Sequence, residues 1–495
     1  MGYDTGAEGH IFNSVRANIE CFVGLKVLFF MRHEKYDLLT RYHEIGIYNR
    51  ENGDRNTKIE SKIESLWSKV MKMKKMKKRN HNFKENAYFI RKLILSVVFT
   101  AFILLFSAYN WSENIKALGG ELHEFANRIT DGKSNLRAEI ANLETTLEEN
   151  LTDRMKFIEY FAFVQKALDK KEINNFSYIK DNTGNLHYAS FYREDESNCF
   201  EYAMRVKRLK DYVSQFGTEV LFVVAPSKYV ADDSRFDPDM PVNDPQVIVD
   251  ETLFYLNRMG IDTLDLNQYL PNEEVPYEEA FFKTDHHWTI PAAFYATEIL
   301  ADRLNENYGY GLDTKTYLSK DRFEMKVYKQ GMLGSMGRAT GYNYSGLDDM
   351  TALYPKFHQN IERTYMEESG EYTVKKGDII GTLILPEVLN NDDIYSDSQY
   401  SMYLNGLRVY EQIINHSNPD GKKIFMIRDS YFSPVISFLT PMCSRIDAIW
   451  NLEDSKELDI EQYIKANRFD CIIIEMYPYN IEDKAFRFFE EDVVE

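Results

Sequence analysis

The sequence predicts an α/β domain built on a parallel sheet and tied to a membrane by one apolar helix. Two observations predict it: five short β-rich apolar runs alternate with helical patterns after Asn174, and a charge-free stretch from Leu93 to Tyr109 follows a basic flank. The runs are VLFVVAP (220–226), DTLDL (262–266), IFMIRDS (424–430), IDAIW (446–450) and CIIIEMYP (471–478). Amphipathic stretches at Cys199 to Phe216, Asp244 to Gly260 and Pro291 to Tyr308 separate several of them. Apolar runs bounded by turn residues and separated in this way mark parallel strands covered on both faces. Residues 175–495 are read as one α/β domain, with an insertion or cap at about 309–399, where Gly, Asn, Asp and Tyr are frequent.

Composition narrows the class. Among 495 residues, 78 acidic against 59 basic side chains give a formal charge of −19, too acidic for a nucleic-acid binder. With 44% apolar and 14% aromatic residues the chain is not disordered. Cys21, Cys199, Cys443 and Cys471 show no paired spacing, which excludes a zinc module or a disulfide scaffold.

The stretch LILSVVFTAFILLFSAY from Leu93 is about 26 Å long as a helix, close to a bilayer core. A buried soluble helix is the plain alternative, and the lopsided flanks argue against it. Lys69, Lys72, Lys74, Lys75, Lys77, Lys78, Arg79, Lys84, Arg91 and Lys92 precede the run, and Glu113, Glu121 and Glu124 follow it. The positive-inside rule then keeps 1–92 cytoplasmic, makes 93–111 the span with Tyr109 and Trp111 as outer anchors, and puts 112 onward outside. A cleaved signal peptide fits worse, because no small-residue site follows the run. Gly6 stands where a myristoylation signal needs Ser or Thr. The first ninety residues show no chemistry, although FVGLKVLFFM can form an amphipathic helix and Met71, Met73 or Met76 can be the true start.

In 112–174, Leu136, Ile140, Leu143, Leu147, Leu151, Met155 and Ile158 recur at steps of three and four, one helical stripe. It reads as a stalk that can self-associate, or equally as a helix packed on the domain.

Ligands of open parallel sheets bind beyond the carboxyl ends of strands. Two places there carry chemistry: Phe281-Phe282-Lys283-Thr284-Asp285-His286-His287-Trp288-Thr289, before a helix that Pro291 can open, and Arg428-Asp429-Ser430-Tyr431, where an apolar strand ends. A serine hydroxyl becomes a useful nucleophile when an imidazole takes its proton, and that imidazole needs a carboxylate on its other nitrogen. Asp285 is placed to orient His287 across a tight turn, with His286 pointing the other way. Each half has a bland reading: Asp429 or Ser430 can cap a helix, and the histidines can be a packed turn or a metal site. No further ligand stands at the short spacing that a closed metal site requires.

TDHHWT, RDSYFSP and the closing SRIDAIWNL with FDCIIIEMYP, together with VAPSKY (224–229) and GMLGSMGRATGYNYSG (331–346), resemble the bacterial DHHW-motif proteins. These are a branch of the SGNH-hydrolase-like superfamily that includes alginate O-acetyltransferases of the AlgX and AlgJ type. The resemblance covers roughly 200–480. It implies a flavodoxin-like parallel sheet with helices on both faces, Ser430 as nucleophile, His287 as base and Asp285 as its orienter, with no cofactor and no metal. Serine follows histidine here, the reverse of ordinary GDSL enzymes. Oxyanion donors stay open among the Ser430 N–H, Gly334, Ser335, Asn405 and Gly406, where the plain reading of the glycines is turn formation. Lys228 and Arg428 are candidates to hold an anionic group, and Tyr342 and Tyr344 to stack on sugar rings.

The expected activity is acyl transfer outside the cytoplasmic membrane, by an O-acetyltransferase or esterase acting on a cell-envelope or exported polysaccharide. Acetyl-CoA is cytosolic, so the resemblance also implies an integral membrane O-acyltransferase as acyl donor. The alternatives are a non-catalytic polysaccharide-binding or scaffold protein and a DHH-type metal phosphoesterase.

Overall fold

The computed structural model describes residues 88–486 apart from 131–135, 190–197, 230–234, 238–239, 241, 243, 368, 391–392, 396–397 and 451–458, and only Ser68 and Lys72 before them. The expectations for the first eighty-seven residues and for Cys21 therefore lie outside the described residues. Two compact units divide near residue 154.

The first unit holds helices α1 (Tyr88–Tyr109), α2 (Trp111–Thr130) and α3 (Leu136–Glu149). α1 is long and apolar enough to cross a membrane, and it begins five residues before the predicted span. The single stripe expected after it is broken. Arg128 on α2 reaches the buried Glu139 on α3, with Nε within 3.1 Å of both carboxylate oxygens. Thr152 N donates to Asn110 Oδ1 at 2.7 Å, and Tyr109 Oη to Asp153 Oδ2 at 2.8 Å. The chain has thus folded back to the end of α1, and Asp153, at φ 60°, turns it again before α4 (Arg154–Ala167).

The second unit opens with α4 and a small antiparallel meander, β1 (Glu172–Ile173), β2 (Tyr178–Lys180) and β3 (Leu186–Tyr188). After it come α5 (Cys199–Ser214), β4 (Glu219–Val224), α6 (Gln246–Arg258), β5 (Asp262–Asp265) and α7 (Ile290–Tyr308). A hairpin of β6 (Phe323–Met332) and β7 (Asp348–Pro355) encloses the short α8 (Ser335–Thr340). Strands β8 (Ile361–Met366), β9 (Tyr372–Gly377), β10 (Tyr410–Asn415), β11 (Lys422–Arg428), α9 (Phe432–Leu439), β12 (Cys443–Trp450), α10 (Ile460–Asn467) and β13 (Cys471–Met476) complete it.

Eight strands form one sheet in the order β5-β4-β13-β11-β12-β10-β8-β9. The five predicted apolar runs are the five parallel strands, β5 through β12. Their side chains alternate between two cores: Val220, Phe222 and Val224 face α5 and α6, whereas Leu221 and Val223 face the side of α7 and α9. The other three strands are antiparallel. β8 and β9 come from the predicted insertion, which therefore widens the sheet and is more than an irregular cap.

A buried ionic cluster joins the two parts. Glu411 on β10 accepts from Arg363 Nε and Nη2 on β8 at 3.0 and 2.7 Å and from Arg428 at the end of β11. All three side chains are fully buried. Burial alone would raise the Glu411 carboxyl, but the two guanidinium groups hold it below its usual range. Glu411→Leu leaves two buried guanidinium groups unpaired and is expected to cost about 3–5 kcal/mol. Lys376→Ala, which breaks a solvent-screened 3.1 Å pair with Glu362, should leave the urea midpoint nearly unchanged. Urea denaturation of the chain in detergent checks both, and equal small effects would mean that the cluster does not hold the sheet.

Candidate active site

β11 lies fourth of the eight strands, and Ser430 follows its carboxyl end. Asp429 shapes that turn. Its Oδ1 accepts from Tyr431 N at 2.9 Å, and its Oδ2 accepts from Tyr477 N at 2.7 Å and Asn480 Nδ2 at 2.8 Å. Glu475 on the neighbouring strand accepts the Asp429 N–H at 3.0 Å, and burial, then the Asp429 charge, push its carboxyl far up, so it stays protonated. These contacts leave the Ser430 side chain to meet the histidine loop.

That loop is closed on itself and anchored from three sides. Phe281 and Trp288 bridge, Phe282 N donates to His287 O at 3.2 Å, and Thr289 caps α7 with Pro291 at its first turn. Asp348 on β7 accepts from Lys283 N, Thr284 N and Thr284 Oγ1 at 2.9, 2.8 and 2.6 Å. Lys228 Nζ donates to the carbonyls of Leu186, Phe282, Lys283 and Asp285 at 2.8, 2.6, 3.3 and 2.9 Å.

Asp285, His287 and Ser430 come together as a hydrogen-bonded chain. His287 Nδ1 lies 2.6 Å from Asp285 Oδ1, and His287 Nε2 lies 2.7 Å from Ser430 Oγ across 143 residues of sequence. Asp285 Oδ1 also takes His287 N at 3.0 Å, and Oδ2 takes Ser335 N at 2.7 Å. Burial alone would raise the Asp285 carboxyl. The facing His287 and His286 rings and these hydrogen bonds outweigh it and hold the group well below the carboxylate range. An ionised Asp285 keeps the proton of His287 on Nδ1, which leaves the Nε2 lone pair for the serine proton.

Several other candidates have different places. Lys228 is buried, its N–H groups are spent on four carbonyls, and burial lowers it to about 8, so it holds the loop and no substrate anion. Arg428 is consumed by Glu411, Asp429 O and Ser433 Oγ. The Gly334 N–H donates to Thr284 Oγ1 at 2.8 Å and that of Ser335 to Asp285, so neither faces a developing oxyanion. Gly334 is a close-approach position, since a Cβ there would fall 2.3 Å from Asp285 Cβ. Asn405, with φ 51°, sits in the turn whose Leu404 carbonyl takes Arg363, and no described hydrogen bond joins it to the triad. Gly406 follows in the same turn at φ 82°. Gly406 N donates to Tyr403 O at 3.4 Å, whereas the Ser430 N–H, on the residue hydrogen-bonded to His287, has no partner among the described residues. Tyr344 is core, its hydroxyl donating to Lys170 O at 2.9 Å, while Tyr342 is exposed. His286 does not point away: its ring lies 3.9 Å from that of His287, and its Nδ1 is 3.3 Å from both Asp285 Oδ1 and Ser335 Oγ.

Sequence reasoning missed the aromatic seat. His287 stacks on Tyr400 at 4.1 Å and 19°, and Trp288 Nε1 donates to Tyr400 Oη and Tyr431 O at 3.0 and 3.2 Å. Tyr431 follows the serine and so carried a signal; Tyr400 carried none. Asp285, His286 and His287 could offer three metal ligands within 4.8 Å of one another. Yet both His287 nitrogens and both Asp285 oxygens are already engaged, so this donor set does not fit a metal without breaking the chain to Ser430.

Residues 186–372 match the family model described as the SGNH hydrolase-like domain of the acetyltransferase AlgX. The fold is SGNH-hydrolase-like. The alginate biosynthesis protein AlgX of Azotobacter vinelandii is 27% identical over 207 residues, 40% of this chain and 38% of that protein, so the match spans under half of the relative's length. Bacillus cereus PatB1, solved with a sulfonyl adduct, superposes with a TM-score of 0.51 at 17% identity, over 63% of this chain and 97% of that one. A DHHW family protein from Eubacterium siraeum gives a TM-score of 0.44 at 15% identity, over 62% and 95%.

Two buried rings beside the site set a pH dependence. Burial lowers His286 to about 3 and His187 to about 4, from 6.5, although His187 Nε2 lies 3.0 Å from Asp181 Oδ2. Between pH 6.5 and about 4 the unfolded chain takes protons that these folded rings refuse, so stability falls as pH falls. Each ring adds a slope of up to about 1.4 kcal/mol per pH unit. Asp181 is also buried, but hydrogen bonds lower it to about 2, so its contribution is lost only below its ordinary 3.8. His187→Gln is expected to flatten the slope of urea midpoint against pH from 7 to 4.5; an unchanged slope would mean that His187 titrates normally.

Proposed function

We propose that this protein is a serine-dependent acyl-transfer enzyme, an O-acetyltransferase that modifies a cell-envelope or exported polysaccharide. The observation that carries the reading is the Asp285–His287–Ser430 chain, with contacts of 2.6 and 2.7 Å, at the carboxyl end of a central strand. In this reading Ser430 Oγ attacks an acetyl carbonyl while His287 Nε2 takes the hydroxyl proton. The proton then passes to the departing donor group, leaving acetyl-Ser430. A sugar hydroxyl gives its proton to His287, attacks the ester carbonyl and leaves with the acetyl group, and the proton returns to Ser430. The unpartnered Ser430 N–H is the donor available to the oxyanion in both steps. Water in place of the sugar gives acetylester hydrolysis at the same site.

Support for a polysaccharide acceptor comes from the AlgX family match and from the AlgX relative's stated part in alginate biosynthesis. The apolar helix Tyr88–Tyr109 supports a single-pass anchor, and the lysines before it support an inside N-terminus with the domain from 112 onward outside. A domain so placed needs an acyl donor delivered through the membrane, and an integral membrane O-acyltransferase supplies that chemistry.

The test is aryl acetate turnover by the chain in detergent. Ser430→Ala and His287→Ala should each lose about 10³-fold or more, and Asp285→Asn about 10²–10⁴-fold. A phenylmethylsulfonyl adduct should form on Ser430 and be absent from Ser430→Ala by mass spectrometry. Turnover that survives both alanine variants rejects the triad. A wild type without turnover or adduct favours the polysaccharide-binding reading.

A further inference from the structure

Arg338 stands near the site without an acceptor among the described residues. It stands on α8 three residues after Ser335, whose N–H holds Asp285, and positions three apart share a helix face. Its side chain makes no hydrogen bond or ion pair among the described residues, and its Nη1 is shut off from solvent. Three buried or half-buried guanidinium groups of the domain have carboxylate partners, Arg363 and Arg428 with Glu411 and Arg445 with Asp447 at 2.8 Å, whereas Arg322 also keeps a buried Nε without an acceptor. A half-buried guanidinium left without an acceptor is costly. Its charge is among those that hold the His286 ring neutral, which places it within electrostatic reach of the triad loop.

The same rim carries ring faces. α8 packs beside β3, and the Tyr188 ring at the end of β3 lies 5.8 Å from His286 and 6.1 Å from Tyr479. Tyr479 continues to Tyr477 at 5.3 Å, and Tyr477 stacks on Tyr431, the residue after Ser430, at 4.6 Å. Tyr188 and Tyr479 are both half-buried. A wall of tyrosines with one polar edge suits the apolar face of a sugar ring. The net charge of −19 repels an anionic polymer, so such an acceptor needs a local cation, and Lys228 and Arg428 are unavailable to serve.

We propose that Arg338 is the anion-binding residue of an acceptor subsite beside the triad, where it takes a carboxylate or phosphate of a glycan whose ring rests against Tyr188 and Tyr479. This rests on the acyl-transfer reading for its biological sense, but it is tested by binding alone. The full-length Ser430→Ala chain in detergent is titrated with three labelled oligomers of equal length: an oligouronate, a phosphodiester-linked oligomer and a neutral glucan. One charged oligomer should bind more tightly than the glucan and weaken with added salt, and which one it is identifies the carboxylate or the phosphate. Arg338→Gln should weaken that oligomer by about tenfold or more, so that its advantage over the glucan collapses, while Arg338→Lys recovers part of it. A charged oligomer bound equally by both backgrounds, equal affinity for charged and neutral oligomers, or no binding by any of the three overturns the proposal. Failure of the triad would show instead in the aryl acetate assay, which this titration does not use.

Discussion

One ammonium group joins three separate stretches of the domain. Lys228 lies just past the end of β4, and its three N–H bonds are shared among carbonyls of β3 and of the loop that carries Asp285 and His287. A buried charge that lost these carbonyls would cost several kcal/mol, so the loop cannot drift from the sheet without leaving the ammonium stranded. Asp348 completes the arrangement from the opposite side by taking three donors of the same loop. The loop is thus held through its backbone, and its side chains are left to face Ser430.

Rigid backbone of this kind lets a short, fully desolvated contact persist. Asp285 is buried with four donor contacts around it, and an ionised carboxylate in that position demands that His287 present its N–H there. The imidazole orientation is then fixed twice, by the carboxylate in its plane and by Tyr400 stacked at 4.1 Å against its face. Gly334 and Gly337 let α8 close against the back of the loop; a Cβ at Gly337 would lie 2.9 Å from Thr284 Cβ. What the sequence presents as a turn-like glycine motif is a close packing of two backbones.

The sequence made the parallel half of the fold legible because its central strands β4, β11 and β13 are buried on both faces and so read as apolar runs, while β5 and β12 carry polar residues but stay bounded by turns. β8 stayed hidden for the opposite reason. Its inward positions are Ile361, Arg363 and Tyr365, and a buried arginine masks the period of two that would reveal a strand. The triad residues were legible because each stands at a strand end beside a telling neighbour. Lys228 and Arg428 were misread from the same positions: a cation at a strand end looks like a ligand group until the carbonyls and the carboxylate that consume it are seen. The Arg128–Glu139 pair and the Thr152–Asn110 bond, which fold the predicted stalk back, depend on contacts that no periodicity records.

The distribution of charge follows one rule across the second unit. Most interior cations are spent, Lys228 on carbonyls, Arg363 and Arg428 on Glu411 and Arg445 on Asp447, and Arg338 stands out against them. Interior carboxylates are either ionised and saturated with donors, as Asp285 is, or kept protonated, as Glu475 is. Net charge lies on the surface and is negative, so the electrostatics of the site are set locally and not by the field of the whole domain. A neutral His286 between Asp285 and the tyrosine wall fits that rule, since a positive ring 3.9 Å from His287 would oppose any proton on His287 Nε2. Holding that ring neutral keeps the proton affinity of the triad on the one imidazole in contact with the serine.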